Sequence, residues 1–363
     1  MGAFDPPPLL IRFFASPLLF LLRPFYTLIL LLRKPPRTRS PSQRPIRVVC
    51  ISDTHDLRPS SIPHGDLLIH AGDLTNSGTR ADIQKAVDWL KTLPHAHKVV
   101  VSGNHDGWLD VGVRGFIAEQ NGIGEEERER EREVDWGHIH YLQNSSVTIE
   151  FPEQGREQGQ HARALTIHGA PQIPQLDPSR PTIHAFQYPP TLRGSPFPTP
   201  IPANADILVT HSPPLHHRDN YPYAVGCPHL LNAVWSIRPS LHVFGHCHVG
   251  RGVERAYYDR AQRAWERLCA AREERRWLWE RGSKGLLWWA LISGGWWRDM
   301  LGVDGMWRDA TVVVWEGVKR LLWERVWGGD GKGLGREGWM VNAACLDGWG
   351  SGELRGGGIV VDI

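Results

Sequence analysis

The chain has 363 residues, enough for one large domain or two modest ones with buried cores. Its 41 Lys+Arg against 39 Asp+Glu leave a formal charge of +2, which gives no electrostatic footprint for nucleic acid. Five scattered cysteines (Cys50, Cys227, Cys247, Cys269, Cys345) without a CxxC pair argue against a disulfide framework and fit a reducing compartment.

In chain order, the first feature is the apolar run FFASPLLFLLRPFYTLILLL from Phe13 to Leu32. As a helix it approaches the hydrocarbon thickness of a bilayer, although Arg23-Pro24 breaks its middle and Pro17 weakens its start. Arg33, Lys34, Arg37, Arg39, Arg44 and Arg47 follow it, against Arg12 before it. The expectation is a membrane anchor that spans, bends back or lies in the interface, with membrane lipid as a partner. Everything after it then faces the cytosol. A cleaved signal peptide is the competing form, but the run ends in RKPPRTRS and not in a small-residue cleavage site. The Pro-, Ser- and Arg-rich stretch to residue 45 reads as a linker, so 1–45 is taken as anchor and linker.

Short β-branched runs then appear at 46–52 (IRVVCIS), 66–72, 98–103, 164–169, 206–211 and 241–246, with helical patterns at 80–93 and 228–238. Strands alternating with helices predict an α/β layered domain over 46–256. The charged run EEEREREREVD (125–135) has almost no apolar face and reads as a solvated helix or loop. From 257 to 337 the rhythm stops, and eleven of the 17 tryptophans fall between Trp265 and Trp327. This region is expected to be a Trp-rich helical insertion, either a cap on the domain or an interfacial contact through GLLWWALISGGWWRDML (285–301). Strand-like runs resume over 338–363 and close the domain.

The chemistry is concentrated where the strands end. The apolar runs finish in ISDTH, AGDLT, SGNHD, THSPP and FGHCH, each carrying Asp, Asn or His. Open α/β folds place their sites beyond the carboxyl ends of strands. A single such end is usually a hydrogen-bonded structural residue, whereas five together point to one centre. Imidazole and carboxylate donors without a required thiolate suit two divalent ions, Mn, Fe or Zn. The Asp, Asn and His residues at these five ends are the candidate ligands. Cys247 should alternate away into packing. His168, His216, His217 and Asp219 stand on loops after strands and are candidates for the pocket wall, with ordinary surface placement as the alternative.

In order, DTH (53–55), GD (72–73), GNHD (103–106), TH (210–211) and GHCH (245–248) resemble the signature of the calcineurin-like metallophosphoesterases. Each block is weak by itself; the ordered set is specific. The stretches GDLLIHAGDLTNSG, YLQNSSVTI, ADILVTHSPPL and LHVFGHCHVG are similar to the metallophosphoesterase-domain-containing branch, the brain "239" proteins. One member of that branch has Gly at the first His of the last block, whereas this chain keeps His246. GDLTNSG stands where Ser/Thr protein phosphatases have GDxxDRG, which argues against a phosphatase of that type.

The resemblance covers about two-thirds of the chain and implies a four-layer fold of two mixed sheets flanked by helices. It further implies Asp53, His55 and His248 on one metal, Asn104, His211 and His246 on the other, and Asp73 bridging them. His105 would be the general acid at the leaving group. The expected activity is a phosphodiesterase acting on a small or nucleotide-like substrate through a metal-bridging hydroxide. A phosphomonoesterase, or a membrane-tethered scaffold with a structural metal site, is the alternative.

Overall fold

Continuous Val, Ile and Leu runs suit strands buried on both faces, and they form such strands here. The computed structural model describes residues 9–36, 44–125, 133–152, 162–175, 184–189, 192–219, 224–280, 295–302, 305–327, 336–347 and 352–363. In chain order its strands are β1 (Arg47–Ile51), β2 (Leu67–Ala71), β3 (His97–Val101), β4 (His140–Tyr141), β5 (Ser145–Phe151), β6 (Arg163–Ala170) and β7 (Ile173–Pro174). They continue as β8 (Gln187–Tyr188), β9 (Ile207–Thr210), β10 (Leu241–Phe244), β11 (Gly252–Ala256), β12 (Gly338–Asn342) and β13 (Ile359–Asp362).

One sheet has the order β13-β1-β2-β3-β4, parallel except for β13. The second has the order β11-β12-β10-β9-β6-β5, with β12, β10, β9 and β6 parallel and β5 antiparallel to β6. The period of two along each strand divides the apolar residues between two cores. Val48, Cys50, Leu67, Ile69, Val99 and Val101 share a core with Ile149, Ile167, Ile207, Val209, Val243 and Val341 of the second sheet. Their strand neighbours Val49, Ile51, Leu68 and Val100 instead meet Ile83, Val87 and Leu90 of the helix Arg80–Thr92. The expected α/β class is therefore present, as mixed sheets flanked by helices.

Strand ends of both sheets are tied at one edge. Ser52 bridges Ala344, and its carbonyl accepts from Cys345 N–H at 2.8 Å. Gly245 N–H donates to the His211 carbonyl at 3.0 Å, which joins the ends of β9 and β10.

The chain divides into two compact units. One comprises Arg37–Asp219, Val225–Glu254 and Gly338–Ile363 and holds both sheets; the other comprises Met1–Pro36, Asn220–Ala224 and Arg255–Glu337. The second unit contains the helices Leu9–Ala15, Pro17–Leu32, Arg260–Glu280, Gly295–Leu301 and Met306–Arg325. Its core joins Leu19, Leu22 and Tyr26 to Ala264, Trp265, Leu268, Met306, Ala310 and Val313. Arg33, 2% exposed, pairs with Asp259 at 2.7 Å and Glu324 at 3.4 Å. Its guanidinium also lies 3.4 Å from the Tyr257 ring centroid.

These contacts correct the expectation of a membrane anchor, of membrane lipid as a partner and of a membrane-associated, cytosol-facing domain. Among the described residues, no helix is long and apolar enough to cross a membrane. Ser16 separates the apolar run into helices of 7 and 16 residues, and it caps the second by accepting from Leu19 N–H. Sixteen residues rise about 24 Å, short of the ~30 Å hydrocarbon core. One face of the longer helix is covered by protein: Leu19, Leu22, Tyr26 and Ile29 are buried, with Tyr26 stacked 4.7 Å from Trp265. Trp296 likewise meets Phe13 at 5.6 Å and Phe14 at 5.8 Å. Positions 285–294 of the expected Trp-rich contact and 126–132 of the charged run lie outside the described residues.

Candidate metal centre

Five of the parallel strands deliver polar residues just past their carboxyl ends. β1 is followed by Asp53 and His55, β2 by Asp73, β3 by Asn104 and His105, β9 by His211, and β10 by His246 and His248. Sharp turns aim these side chains inward. Asp53, His55, Asp73 and His246 have φ of 52°, 45°, 52° and 65°, in the left-handed region that costs an L-residue about 1–2 kcal/mol. Backbone bonds hold the turns, with Asp53 N–H on the Gly72 carbonyl at 2.9 Å and Thr54 N–H on the Asp73 carbonyl at 3.0 Å.

The eight positions meet in one place. Ligand atoms of Asp53, His55 and His248 lie within 4.8 Å of one another, as do those of Asp73, His211 and His246. His55, Asp73 and His105 form a third group by the same measure. Asp73 Oδ2 is 3.6 Å from His55 Nε2 and 3.3 Å from His211 Nε2, so one carboxylate stands between the two sides. Its Oδ1 accepts the His105 backbone N–H at 2.8 Å. Asn104 Oδ1 lies 3.0 Å from His211 Nε2, and His248 Nε2 lies 3.3 Å from Asp53 Oδ1. His105 uses Nδ1 toward the Asn76 carbonyl at 3.3 Å.

Burial disfavours charge on Asp53, yet His248 and His211 hold its carboxyl down at about 2. Asp73 is held well below the carboxylate range by His211, His105 and His55, against the same burial cost. Burial likewise opposes charge on His211, but Asp73 and Asp53 outweigh it and push the imidazole up to about 9. Two ionised carboxylates in a dry pocket attract a cation. His55 adds the sharper observation: both ring nitrogens are buried and neither makes a hydrogen bond. Buried unpaired polar atoms cost about 1–3 kcal/mol each, and a metal ion removes that cost at the coordinating nitrogen. The donor set thus fits two divalent ions.

Neighbouring residues supply a frame that strand-end spacing does not reveal. Asp106 binds both turns, accepting from Gly103 N–H at 2.8 Å, Leu74 N–H at 3.3 Å and Thr75 N–H at 3.2 Å. His70 is buried against Thr54 Oγ1 at 3.0 Å. His184 lies 3.3 Å from the Asn104 amide nitrogen, and its ring centroid is 5.1 Å from that of His105. Of the pocket-wall candidates, His168 bonds Ser146 at 2.8 Å, His217 bonds Glu254 at 3.0 Å, and Asp219 caps the His216 N–H at 2.9 Å. Cys247 is buried, as are the other four cysteines, and all five are free thiols.

Paired His/Asp clusters at the strand ends of two mixed sheets define a metallophosphoesterase-type fold with a site fit for two divalent metals. Residues 46–250 match the calcineurin-like phosphoesterase family. The human "Metallophosphoesterase domain-containing protein 1" is 34% identical over 226 residues, 57% of this chain and 62% of that protein. "UPF0046 protein C25E10.12" of Caenorhabditis elegans is 32% identical over 234 residues, 61% of this chain and 75% of that protein. "Probable rhamnogalacturonate lyase C" of Emericella nidulans is 38% identical over 234 residues, 64% of this chain, but the match spans 20% of that protein. The chain belongs to the calcineurin-like phosphoesterase family, with relatives among the metallophosphoesterase domain-containing proteins.

Proposed function

We propose that the chain hydrolyses phosphodiesters of a small or nucleotide-like substrate. Asp53, His55 and His248 hold one divalent ion, Asn104, His211 and His246 hold the other, and Asp73 is shared. The observation that carries this is His55, whose two buried nitrogens have no hydrogen-bond partner beside two ionised carboxylates. When bound, the two ions supply an activated water and neutralise charge on the phosphoryl group.

The chain's own residues do the rest. Asp73 spends Oδ1 on the His105 N–H, which leaves Oδ2 between the His55 and His211 sides. The Asn76 carbonyl orients the His105 ring through Nδ1, so Nε2 is the nitrogen that gives a proton to the leaving oxygen. We assign catalysis to 46–256 with 338–363, in a four-layer order of helices, two sheets and helices.

The test pairs elemental analysis of the purified protein with assays on mono- and bis-nitrophenyl phosphate. The expected result is two metals per chain, Mn-supported turnover and preference for the diester. Fewer than two metals with no turnover in added Mn would establish the scaffold alternative; monoester preference would establish a phosphomonoesterase. His105→Ala should keep its metals and lose about 10²–10⁴-fold on substrates with poor leaving groups.

A further inference from the structure

We propose that His184 is a positioning residue for the metal centre: its Nδ1 accepts a hydrogen bond from the Asn104 amide and thereby selects which end of that amide faces the second metal. This rests on Asn104 being a ligand, as proposed above.

An asparagine ligand has a problem that Asp and His ligands do not share. Its two ends are nearly equal in shape and opposite in chemistry, since Oδ1 coordinates a cation and the Nδ2 amide only donates. A half-turn about the last side-chain bond would replace the donor atom with an N–H and abolish the site's third contact. The two ends must therefore be told apart by their neighbours. Asn104 Oδ1 lies 3.0 Å from His211 Nε2, on the ligand side, and Nδ2 lies 3.3 Å from His184 Nδ1. With its proton on Nε2, a neutral His184 presents a lone pair at Nδ1, which accepts the amide N–H and repels an oxygen placed there; the ring also lies within hydrogen-bond reach of the Asn104 backbone.

The backbone holds His184 in that position. The next residue, Ala185, is fully buried and its N–H donates to the Asn104 carbonyl at 3.0 Å. Phe186 N–H donates to the Asp110 carboxylate at 2.6 Å. Phe186 also adopts φ of 59°, a costly conformation for a bulky residue, and its carbonyl accepts from Ile173 N–H at 3.1 Å. Two successive residues are thus clamped to the segment that carries Asn104 and His105. The bond between residues 80 positions apart is built by the fold and is not a local accident.

Three variants of the full chain separate acceptor from shape. His184→Phe keeps the ring without the acceptor, His184→Asn keeps an acceptor near Nδ1 without the ring, and His184→Ala removes both. Mn binding is followed by EPR, turnover by bis-nitrophenyl phosphate, and folding by melting of the metal-free protein. The Phe and Ala variants should bind the second Mn about 10- to 100-fold more weakly, with kcat reduced and KM nearly unchanged. His184→Asn should recover most of the loss. In an Asn104→Asp background both carboxylate ends are oxygen, so adding His184→Phe should cost little further Mn affinity. If His184→Phe binds Mn as the parent does, the inference is overturned, and equal losses in the Asn and Phe variants overturn it too. A parent protein that holds fewer than two metals would instead overturn the proposed function. Should the Ala variant not fold, the contrast between Phe and Asn decides.

Discussion

Two nitrogens on one imidazole carry much of the case for a metal. His55 is buried with neither Nδ1 nor Nε2 hydrogen-bonded, its Nε2 lying 3.6 Å from Asp73 Oδ2, and a buried polar group left without a hydrogen bond costs about 1–3 kcal/mol. His55→Ala should therefore leave the metal-free melting temperature unchanged or raised. It should abolish part of the stabilisation that Mn confers on the parent, which reaches about 2.7 kcal/mol at a hundredfold excess over Kd. Calorimetry with and without EDTA reads both effects; a large loss in the metal-free protein would show that His55 is a packing residue. Strand-end spacing alone draws attention to His55, but it says nothing of its unpaired nitrogens. Its neighbours in the cluster include Asp53 and His248, and His248 comes from a strand end 193 residues further on.

At the level of strand and turn, the site depends on glycines that let backbone pass against ligand. A methyl group on Gly245 would meet the Asp53 carboxylate and the Ser52 hydroxyl, and one on Gly103 would meet the Asp73 carboxylate and backbone nitrogen. Gly245 precedes His246, whose N–H donates to both Asp53 oxygens at 3.0 Å. Gly245→Ala should thus push Asp53 aside and lower kcat about tenfold or more, as an ångström of misplacement does. The first metal should be lost before the second, in a metal titration followed by activity. Full retention of both metals would show that the turn relaxes around the methyl. These positions are legible as part of GHCH and GNHD, but the atoms they would collide with lie on other strands.

On the scale of the molecule, burial of neutral histidines sets a pH limit. Burial pushes His70 down to about 4 and His242 down to about 3. The unfolded chain takes up protons near 6.5 while the folded protein does not, so stability falls as pH drops below 6.5 toward those values. Each histidine contributes a loss of about 1.4 kcal/mol per pH unit in that window. Melting of the metal-free protein should decline steeply from pH 6.5 to 4, with a shallower slope in His242→Leu. A slope the substitution leaves unchanged would exclude His242 as a source of the acid sensitivity.

The α/β class was legible because buried parallel strands must be continuous apolar runs, and a polar residue at a strand end is local information. By itself the sequence also determined the order of the Asp, Asn and His blocks that marks the family, since each block follows its own strand without reference to any other. Tertiary structure decided what those blocks become: two sheets with their ends tied through Ser52 and Ala344, and one carboxylate, Asp73, between two groups of histidines. It decided the fate of the N-terminal apolar run as well. A run of leucines reads alike whether lipid or protein faces it; the break at Ser16 and the packing of Tyr26 on Trp265, 239 positions away, belong to the fold. His184 was hidden for the same reason, because its partner Asn104 is brought to it by the fold and by nothing in its neighbouring sequence.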